Sequence, residues 1–232
     1  MPIDYGLAVR QHAAYCQTLR DCGATVRVLD VNRDLPDSTF IEDTAVVLDE
    51  VAVLASMGTA ARRDEPARIA AELRTHRPLY RIALPGTLEG GDVVQIGHVL
   101  LVGMSVRTNA AGADSLEAIV CPHGYRVVPV PLRGCLHLKT ACTALPDGTL
   151  LVNPGWLDMP CLRGFETVCV PEGEPWAANT LPVGGALCLA AGHERTADLL
   201  SRRGFAVRVI DLSEFAKAEG GVTCLSLLLD SV

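Results

Sequence analysis

Five segments of the chain share one pattern, in which a short polar or glycine-containing stretch leads into an apolar, strand-like stretch. These segments are residues 40–48, 88–96, 134–145, 175–183 and 219–226. They follow one another at intervals of about 42 to 48 residues, a period typical of an array of similar supersecondary units. If such units pack around one axis, the starts of their strands meet there. The repeat therefore predicts a pocket shared by residues that are far apart in sequence.

Helix and strand patterns alternate along the chain. Apolar spacing and stop signals predict helices at 8–22, 63–76, 113–120 and 194–203. Strand pairs with short turns are predicted at 44–48 with 51–55, 93–96 with 99–102, 140–145 with 149–152, and 180–183 with 186–190. Single strands are predicted at 24–31, 126–130, 205–210 and 222–229. The pattern favours one α/β domain of radially arranged units over residues 1–232, because hairpins would interrupt a doubly wound sheet.

Composition excludes several classes of protein. The net charge of −7 argues against a nucleic-acid surface, which needs clustered Lys and Arg. No run is long and apolar enough to span a membrane, and the first residues lack the pattern of a signal peptide. No G-x-G-x-x-G stretch opens a helix after a strand, so a dinucleotide site is not expected. We expect a soluble, cytoplasmic protein.

The cysteines point to one candidate nucleophile. There are nine, without a C-x-x-C pair or the spacing of a zinc site, so most are expected to be small buried hydrophobic residues. Cys224 is the candidate, because Gly220 and Gly221 precede it and would let a ligand approach closely. The alternative is an inert cysteine in an apolar strand.

The equivalent positions of other repeats carry an imidazole and carboxylates. His137 lies between two leucines, and strand alternation would turn it away from them. It is either a hydrogen-bonded structural histidine or a general acid/base that works with a thiol. Glu42, Asp43, Glu89 and Asp92 stand at the starts of buried strands, where a carboxylate needs a cationic or hydrogen-bonding partner. A guanidinium ligand would provide one.

Two arginines stand near the starts of predicted helices. Arg62 and Arg107 are either surface residues or a clamp for a substrate carboxylate, since a helix start does not itself favour a cation. Together, these residue types suggest a site for a molecule with a guanidinium at one end and a carboxylate at the other.

Five ordered motifs resemble one family. They are F-x-E-D at 40–43, E-G-G-D at 89–92, R-T-N at 107–109, L-H-L-K at 136–139 and G-G-V-T-C-L-S at 220–226. From about Gln11 onwards the chain resembles the dimethylarginine dimethylaminohydrolases of the guanidine-modifying superfamily. The resemblance implies a five-bladed α/β propeller with the site on its axis. It also implies hydrolysis of Nω-methylated arginine to citrulline and a methylamine without a cofactor. No metal is expected, composition argues against a nucleic-acid or membrane partner, and a homodimer is left open.

The resemblance also implies a role for each site residue. Cys224 is expected to be the nucleophile and His137 the acid/base. Glu89 is expected to orient His137 and to help hold the guanidinium, and Asp43, with Glu42 beside it, to bind the guanidinium nitrogens. Asp37 is expected to face the α-amine, and Arg62 and Arg107 to bind the substrate carboxylate.

Two departures bear on these expectations. The family has a first strand and a mobile loop ahead of the matching region, where this chain has residues 1–10. The first strand and the lid are therefore expected to be missing or shortened.

Arginine deiminases tend to carry an aspartate two residues after the histidine, where Lys139 stands here. An arginine deiminase-like hydrolase and a non-catalytic protein that binds arginine analogues remain alternatives. A papain-like protease is disfavoured, because no matching cysteine context occurs.

Overall fold

Four three-stranded sheets carry the fold in residues 2–32 and 34–229, the part of the chain that the computed structural model describes. In each sheet a hairpin pairs two antiparallel strands, and a third strand joins the second in parallel. The strands are β1 (Ala45–Val47), β2 (Ala52–Leu54), β3 (Leu79–Arg81), β4 (Val93–Ile96), β5 (Val99–Met104), β6 (Arg126–Pro131), β7 (Cys142–Ala144), β8 (Leu150–Val152), β9 (Thr167–Cys169), β10 (Thr180–Val183), β11 (Ala186–Ala190) and β12 (Ala206–Ile210).

Helices connect or flank these strands. They are α1 (Tyr5–Asp21), α2 (Glu65–Leu73), α3 (Ala110–Val120), α4 (Leu138–Ala141), α5 (Glu194–Arg202) and α6 (Ser213–Ala216). Local sequence sets their starts: the side chain of Asp4 accepts the N–H of Leu7 at 2.9 Å, and that of Asn109 accepts the N–H of Gly112 at 2.8 Å. None of the helices in the described part of the chain combines the length and the apolar character needed to cross a membrane.

The four predicted hairpins are confirmed. Their turns explain why the prediction works: Gly97 and Gly148 have φ values of 55° and 82°, which glycine adopts without steric cost. The apolar strands on either side pair in register, for example Val93 with Val102 and Ile96 with Val99. The order of hairpin, helical segment and parallel strand recurs along the chain. This recurrence confirms the predicted α/β class and its pseudo-symmetry.

The chain forms two compact units, each with its own sheets. The first comprises Met1–Leu29, Thr140–Asn153 and Phe165–Thr223, and the second Asp30–Lys139, Pro154–Gly164 and Cys224–Val232. The second unit holds a core between the β1 and β4 sheets and α3, made of Val46, Leu48, Val51, Val53, Ile82, Leu88, Val93, Leu100, Val102, Ala113, Leu116, Val120 and Tyr125. A smaller core of the first unit contains Leu145, Leu151, Leu187 and Leu200. A single domain over residues 1–232 stays a prediction.

Three local predictions were wrong. Residues 24–31 and 222–229 form no ladder, so neither is a strand, although their apolar patterns suggest one. Residues 140 and 141, predicted as strand, belong to α4. Strands β3 and β9 were not predicted, because three-residue strands with partly exposed side chains carry too little apolar pattern.

Buried polar side chains link the start of one repeat to the next. Each accepts a backbone N–H from the following repeat: Asp43 from Gly91 at 3.2 Å, Asp92 from Leu138 at 3.0 Å, Thr143 from Thr180 at 3.3 Å and Asn179 from Thr223 at 3.2 Å. These links position the candidate site, since its side chains stand at the same strand starts.

Candidate functional site

Asp43, Glu89 and His137 form a buried cluster in the second compact unit. Nε2 of His137 lies 2.8 Å from Oε2 of Glu89 and 3.9 Å from Oδ1 of Asp43. Gly91 is required beside them, because a Cβ there would lie 2.6 Å from Oδ1 of Asp43 and 3.0 Å from the ring of His137. The structure thus brings together an imidazole and two carboxylates, although successive members of the cluster lie up to 48 residues apart in the sequence.

The imidazole of His137 is cationic at neutral pH. Burial lowers its pKa, but the negative charges of Asp43, Asp92 and Glu89 and the hydrogen bond to Glu89 outweigh burial and raise the pKa to about 9. His137 immediately precedes α4 rather than lying in a strand, so the alternation used to predict its orientation does not apply. A cationic imidazole can give a proton to a leaving group and can stabilise a nearby thiolate.

Arg62 is buried behind Asp43. Its Nη1 donates to Oδ2 of Asp43 at 2.7 Å, and its Nε and Nη2 donate to Glu65 at 2.8 to 3.1 Å. Nη2 also donates to the carbonyl oxygens of Asp37 at 3.3 Å and Phe40 at 3.1 Å. Every guanidinium nitrogen therefore already has a protein acceptor. The role of Arg62 as a clamp for a substrate carboxylate stays a prediction, and its charged contacts in the protein are the carboxylates of Asp43 and Glu65.

Arg107 is more accessible. Its side chain is 23% exposed, and Nη1 contacts the hydroxyl of Thr59 and lies 3.4 Å from Oε1 of Glu89. The backbone N–H of Gly58 donates to that same oxygen at 3.0 Å. A Cβ at Gly58 would lie 2.7 Å from Cα and O of Arg107, so only glycine permits this approach. Arg107 keeps a partly exposed guanidinium next to the cluster.

Asp92 accepts three hydrogen bonds from protein groups. Its oxygens receive the N–H of Leu138 and the hydroxyls of Ser105 and Thr108, and the residue is fully buried. The protein itself therefore supplies Asp92 with hydrogen-bonding partners, one of the two kinds of partner expected for a buried carboxylate.

Glu42 has a cationic partner of its own. Nζ of Lys139 donates to Oε1 of Glu42 at 2.7 Å. The backbone N–H of Glu42 donates to the carbonyl oxygen of Cys224 at 3.2 Å, which places the candidate nucleophile's backbone beside the F-x-E-D motif. The thiol of Cys224 belongs to a half-buried residue, and Asp37 is exposed.

The cluster could also be considered as a metal site. Asp43, Glu89 and His137 each offer a ligand atom, and these atoms lie within 4.8 Å of one another. A metal would have to displace the proton of His137, because only neutral imidazole is a ligand. The donor set therefore suits a flat organic cation gripped by carboxylates better than a metal ion.

Sequence reasoning missed Glu65, Ser105 and Thr108. A signal for Glu65 was present: it follows Arg62 by three residues at the start of α2, a spacing that brings side chains together. Thr108 lies within the R-T-N motif, but neither its hydroxyl nor that of Ser105 carried a signal for its acceptor, because Asp92 comes from another segment.

Comparison with known proteins agrees with this geometry. The family model described as N,N dimethylarginine dimethylhydrolase, eukaryotic, matches residues 4–152. The N(G),N(G)-dimethylarginine dimethylaminohydrolase of Streptomyces coelicolor is 42% identical over 229 residues, which cover 98% of this chain and 88% of that protein.

Solved structures of this kind are also similar. A dimethylarginine dimethylaminohydrolase, a histidine-to-glycine variant carrying an adduct with S-methyl-L-thiocitrulline, matches with a TM-score of 0.91 and 34% identity over 96% of this chain and 89% of that one. The enzyme of Pseudomonas aeruginosa, a cysteine-to-serine variant bound to citrulline, matches with a TM-score of 0.89 and 33% identity over 96% and 88% of the two chains. The chain belongs to the dimethylarginine dimethylaminohydrolase family.

Proposed function

We propose that the chain hydrolyses Nω-methylated arginine to citrulline and a methylamine through a covalent bond to Cys224. The observation that carries the proposal is the buried cluster of Asp43, Glu89 and cationic His137 in a chain of this family. Relatives with this fold have been solved with citrulline and with an S-methyl-L-thiocitrulline adduct.

Binding uses the two carboxylates to fix a planar cation. Asp43 and Glu89 accept parallel N–H bonds from the substrate guanidinium, an arrangement that sets the plane for attack. Arg107 holds the substrate carboxylate with its partly exposed guanidinium. Asp37, whose carboxylate is exposed, contacts the α-amine.

Chemistry proceeds in two halves. The thiolate of Cys224 bonds to the guanidinium carbon, the bond from that carbon to the methylated nitrogen breaks, and His137 gives its proton to the departing amine. A thiouronium group remains on the sulfur. Neutral His137 then takes one proton from a water that attacks the same carbon, and the carbon–sulfur bond breaks to release citrulline and the thiolate. The second proton of the water passes to solvent, where the released amine takes it up.

The high pKa of His137 suits this sequence. The proton is already on the imidazole when the substrate arrives, and the cationic imidazole and the substrate together favour the thiolate of Cys224. A second cation in the pocket lowers the pKa of His137, which makes its proton easier to transfer at the moment of reaction.

Arg62 acts through Asp43. Its bond to Oδ2 fixes the carboxylate, so that Oδ1 faces His137 and the substrate site. Glu65 neutralises Arg62 from the other side. We therefore assign Arg62 as a positioning residue and Arg107 as the carboxylate clamp.

The ion pair between Lys139 and Glu42 favours methylated over unmethylated arginine. It occupies Oε1 of Glu42, which would otherwise be a further grip for a bare guanidinium nitrogen. An arginine deiminase-like activity remains the second candidate, and substrate comparison distinguishes the two.

The test is turnover of dimethylarginine, monomethylarginine and arginine by the purified chain, with citrulline and the released amine both quantified. We expect citrulline and dimethylamine or methylamine in equal amounts, with arginine the poorest substrate. Cys224→Ser is expected to abolish turnover while a dimethylarginine-induced rise in melting temperature persists. Cys121→Ser, at an exposed cysteine, is the matched control with unchanged activity.

Two results contradict the proposal. Preferential turnover of arginine with release of ammonia would identify a deiminase. Ligand-induced stabilisation of the wild type without turnover of any of the three compounds would identify a binding protein.

A further inference from the structure

We infer that Asp92 is a positioning residue. Its carboxylate fixes the backbone before α4 and the loop of Arg107 in place relative to the cluster of Asp43, Glu89 and His137. This inference rests on the proposed function, which gives His137 and Arg107 their roles. In this account Asp92 contacts protein groups and not the substrate.

The two oxygens of Asp92 serve different loops. Oδ1 accepts the N–H of Leu138, the residue after His137, at 3.0 Å. Oδ2 accepts the hydroxyls of Ser105 at 2.6 Å and Thr108 at 2.7 Å, which flank Arg107. Gly103 packs against Asp92 and cannot carry a larger side chain, because a Cβ on Gly103 would lie 2.7 Å from Oδ1 of Asp92.

The two hydroxyls extend this hold to the backbone. Oγ of Ser105 accepts the N–H of Arg107 at 2.9 Å and of Thr108 at 3.2 Å. Oγ1 of Thr108 accepts the N–H of Glu89 at 3.1 Å. The segments of Glu89, Arg107 and His137 are thus all joined to one carboxylate, either directly or through a single hydroxyl.

Asn179 shows which part of this arrangement needs a charge. It occupies the corresponding position in the fourth repeat, where it accepts the N–H of Thr223 at 3.2 Å and donates to its hydroxyl at 2.9 Å. An amide therefore suffices to link one repeat to the next. The carboxylate of Asp92 does more, since it accepts two further hydroxyl donors, and its negative charge helps to keep His137 protonated. Burial raises the pKa of Asp92, and the charge of His137 and the three hydrogen bonds to its oxygens oppose that rise.

The test is Asp92→Asn, which retains size and the acceptor for Leu138. We expect a folded protein with kcat/KM reduced by about 100-fold, the loss typical of a small displacement of catalytic groups. We also expect the NMR titration of His137 to move to lower pH, since Asp43 and Glu89 remain but the charge of Asp92 is gone. Glu174→Gln is the matched control: Glu174 is a buried carboxylate that accepts three hydrogen bonds at the start of α5 and should affect stability alone.

Ser105→Ala tests the contact of Asp92 with the loop of Arg107 separately from its contact with Leu138. It removes the support of Arg107 but leaves the bond from Leu138 to Asp92, so KM should rise while kcat and the titration of His137 stay near wild type. If Asp92→Asn fails to fold, kcat, KM and the titration of His137 are measured in Ser105→Ala and Thr108→Val, and these values test the inference.

The inference is overturned if Asp92→Asn keeps kcat/KM within twofold of wild type and the titration of His137 unmoved, or if Ser105→Ala leaves KM unchanged. A wild type without turnover would reject the proposed function instead. The titration of His137 in Asp92→Asn would then still decide whether Asp92 acts on that residue.

Discussion

At the residue scale, the account depends on a histidine that three carboxylates keep charged. His137 is buried, and its ordinary pKa of 6.5 would make it neutral at physiological pH. Asp43, Glu89 and Asp92 surround it and raise the pKa to about 9. The proposed mechanism uses this imidazole as a proton donor and as a partner for a thiolate, and its charge also contributes to stability.

This charge predicts a pH-dependent stability. Because the folded-state pKa lies above 6.5, the contribution of His137 is fully present below pH 6.5 and is lost as the pH rises through about 9. It amounts to about 3 kcal/mol of unfolding free energy. Urea unfolding from pH 6 to 10 should show this loss in the wild type and a much flatter profile in His137→Gln; parallel profiles would contradict the assignment.

Two arginines with similar sequence contexts have different environments, and this predicts different mutational effects. Arg62→Gln leaves Asp43 and Glu65 buried without their cation and should cost about 3 to 5 kcal/mol of stability. Arg107→Gln should cost less than about 1 kcal/mol, because the side chain is partly exposed, but it should raise KM. Melting and kinetics of both variants check this. The assignment fails if Arg62→Gln retains wild-type stability and only raises KM.

At the scale of elements, the site depends on close approach between strand starts. Two short 3₁₀ turns, Ile41–Thr44 and Gly90–Asp92, carry Asp43 and Asp92. They can pack together because Gly90 has no side chain, since a Cβ there would lie 2.1 Å from the carbonyl oxygen of Glu42.

Gly90→Ala is therefore expected to destabilise strongly, by about 3 kcal/mol or more, because the clashing atoms are backbone and cannot rotate away. Gly6→Ala in α1 is the contrasting control: its nearest contact would be an ordinary 3.4 Å, and helix propensity favours alanine by about 1 kcal/mol. Chemical denaturation should give opposite signs for the two variants. Equal effects would show that the contact at Gly90 is not limiting.

The elements also show what a sequence can predict. Hairpins such as β4–β5 were predictable because apolar strands and a glycine turn are both local signals. The partners of Arg62, Asp92 and Glu42 were not, because they depend on residues from other segments. The resemblance to the family supplied candidate residues, but only the contacts of Arg62 with Asp43 and Glu65 led to the proposal that it supports Asp43 instead of facing a ligand.

At the scale of the whole molecule, repetition explains how one chain assembles a site from distant segments. A buried side-chain acceptor at a strand start takes an N–H from the next repeat, and it does so with an aspartate, a threonine or an asparagine. The structural task is the same, so the residue type is free to vary. That freedom lets the starts of the repeats carry the carboxylates, the imidazole and the thiol proposed for catalysis, although the segment of Cys224 forms no strand and His137 precedes α4.

The most direct test of the account is mass spectrometry of the protein quenched during turnover of dimethylarginine, with peptide mapping of all nine cysteines. We predict a thiouronium-type adduct on Cys224 that forms before citrulline accumulates and disappears when the substrate is exhausted. Citrulline production with no adduct, or with an adduct on another cysteine alone, would contradict it.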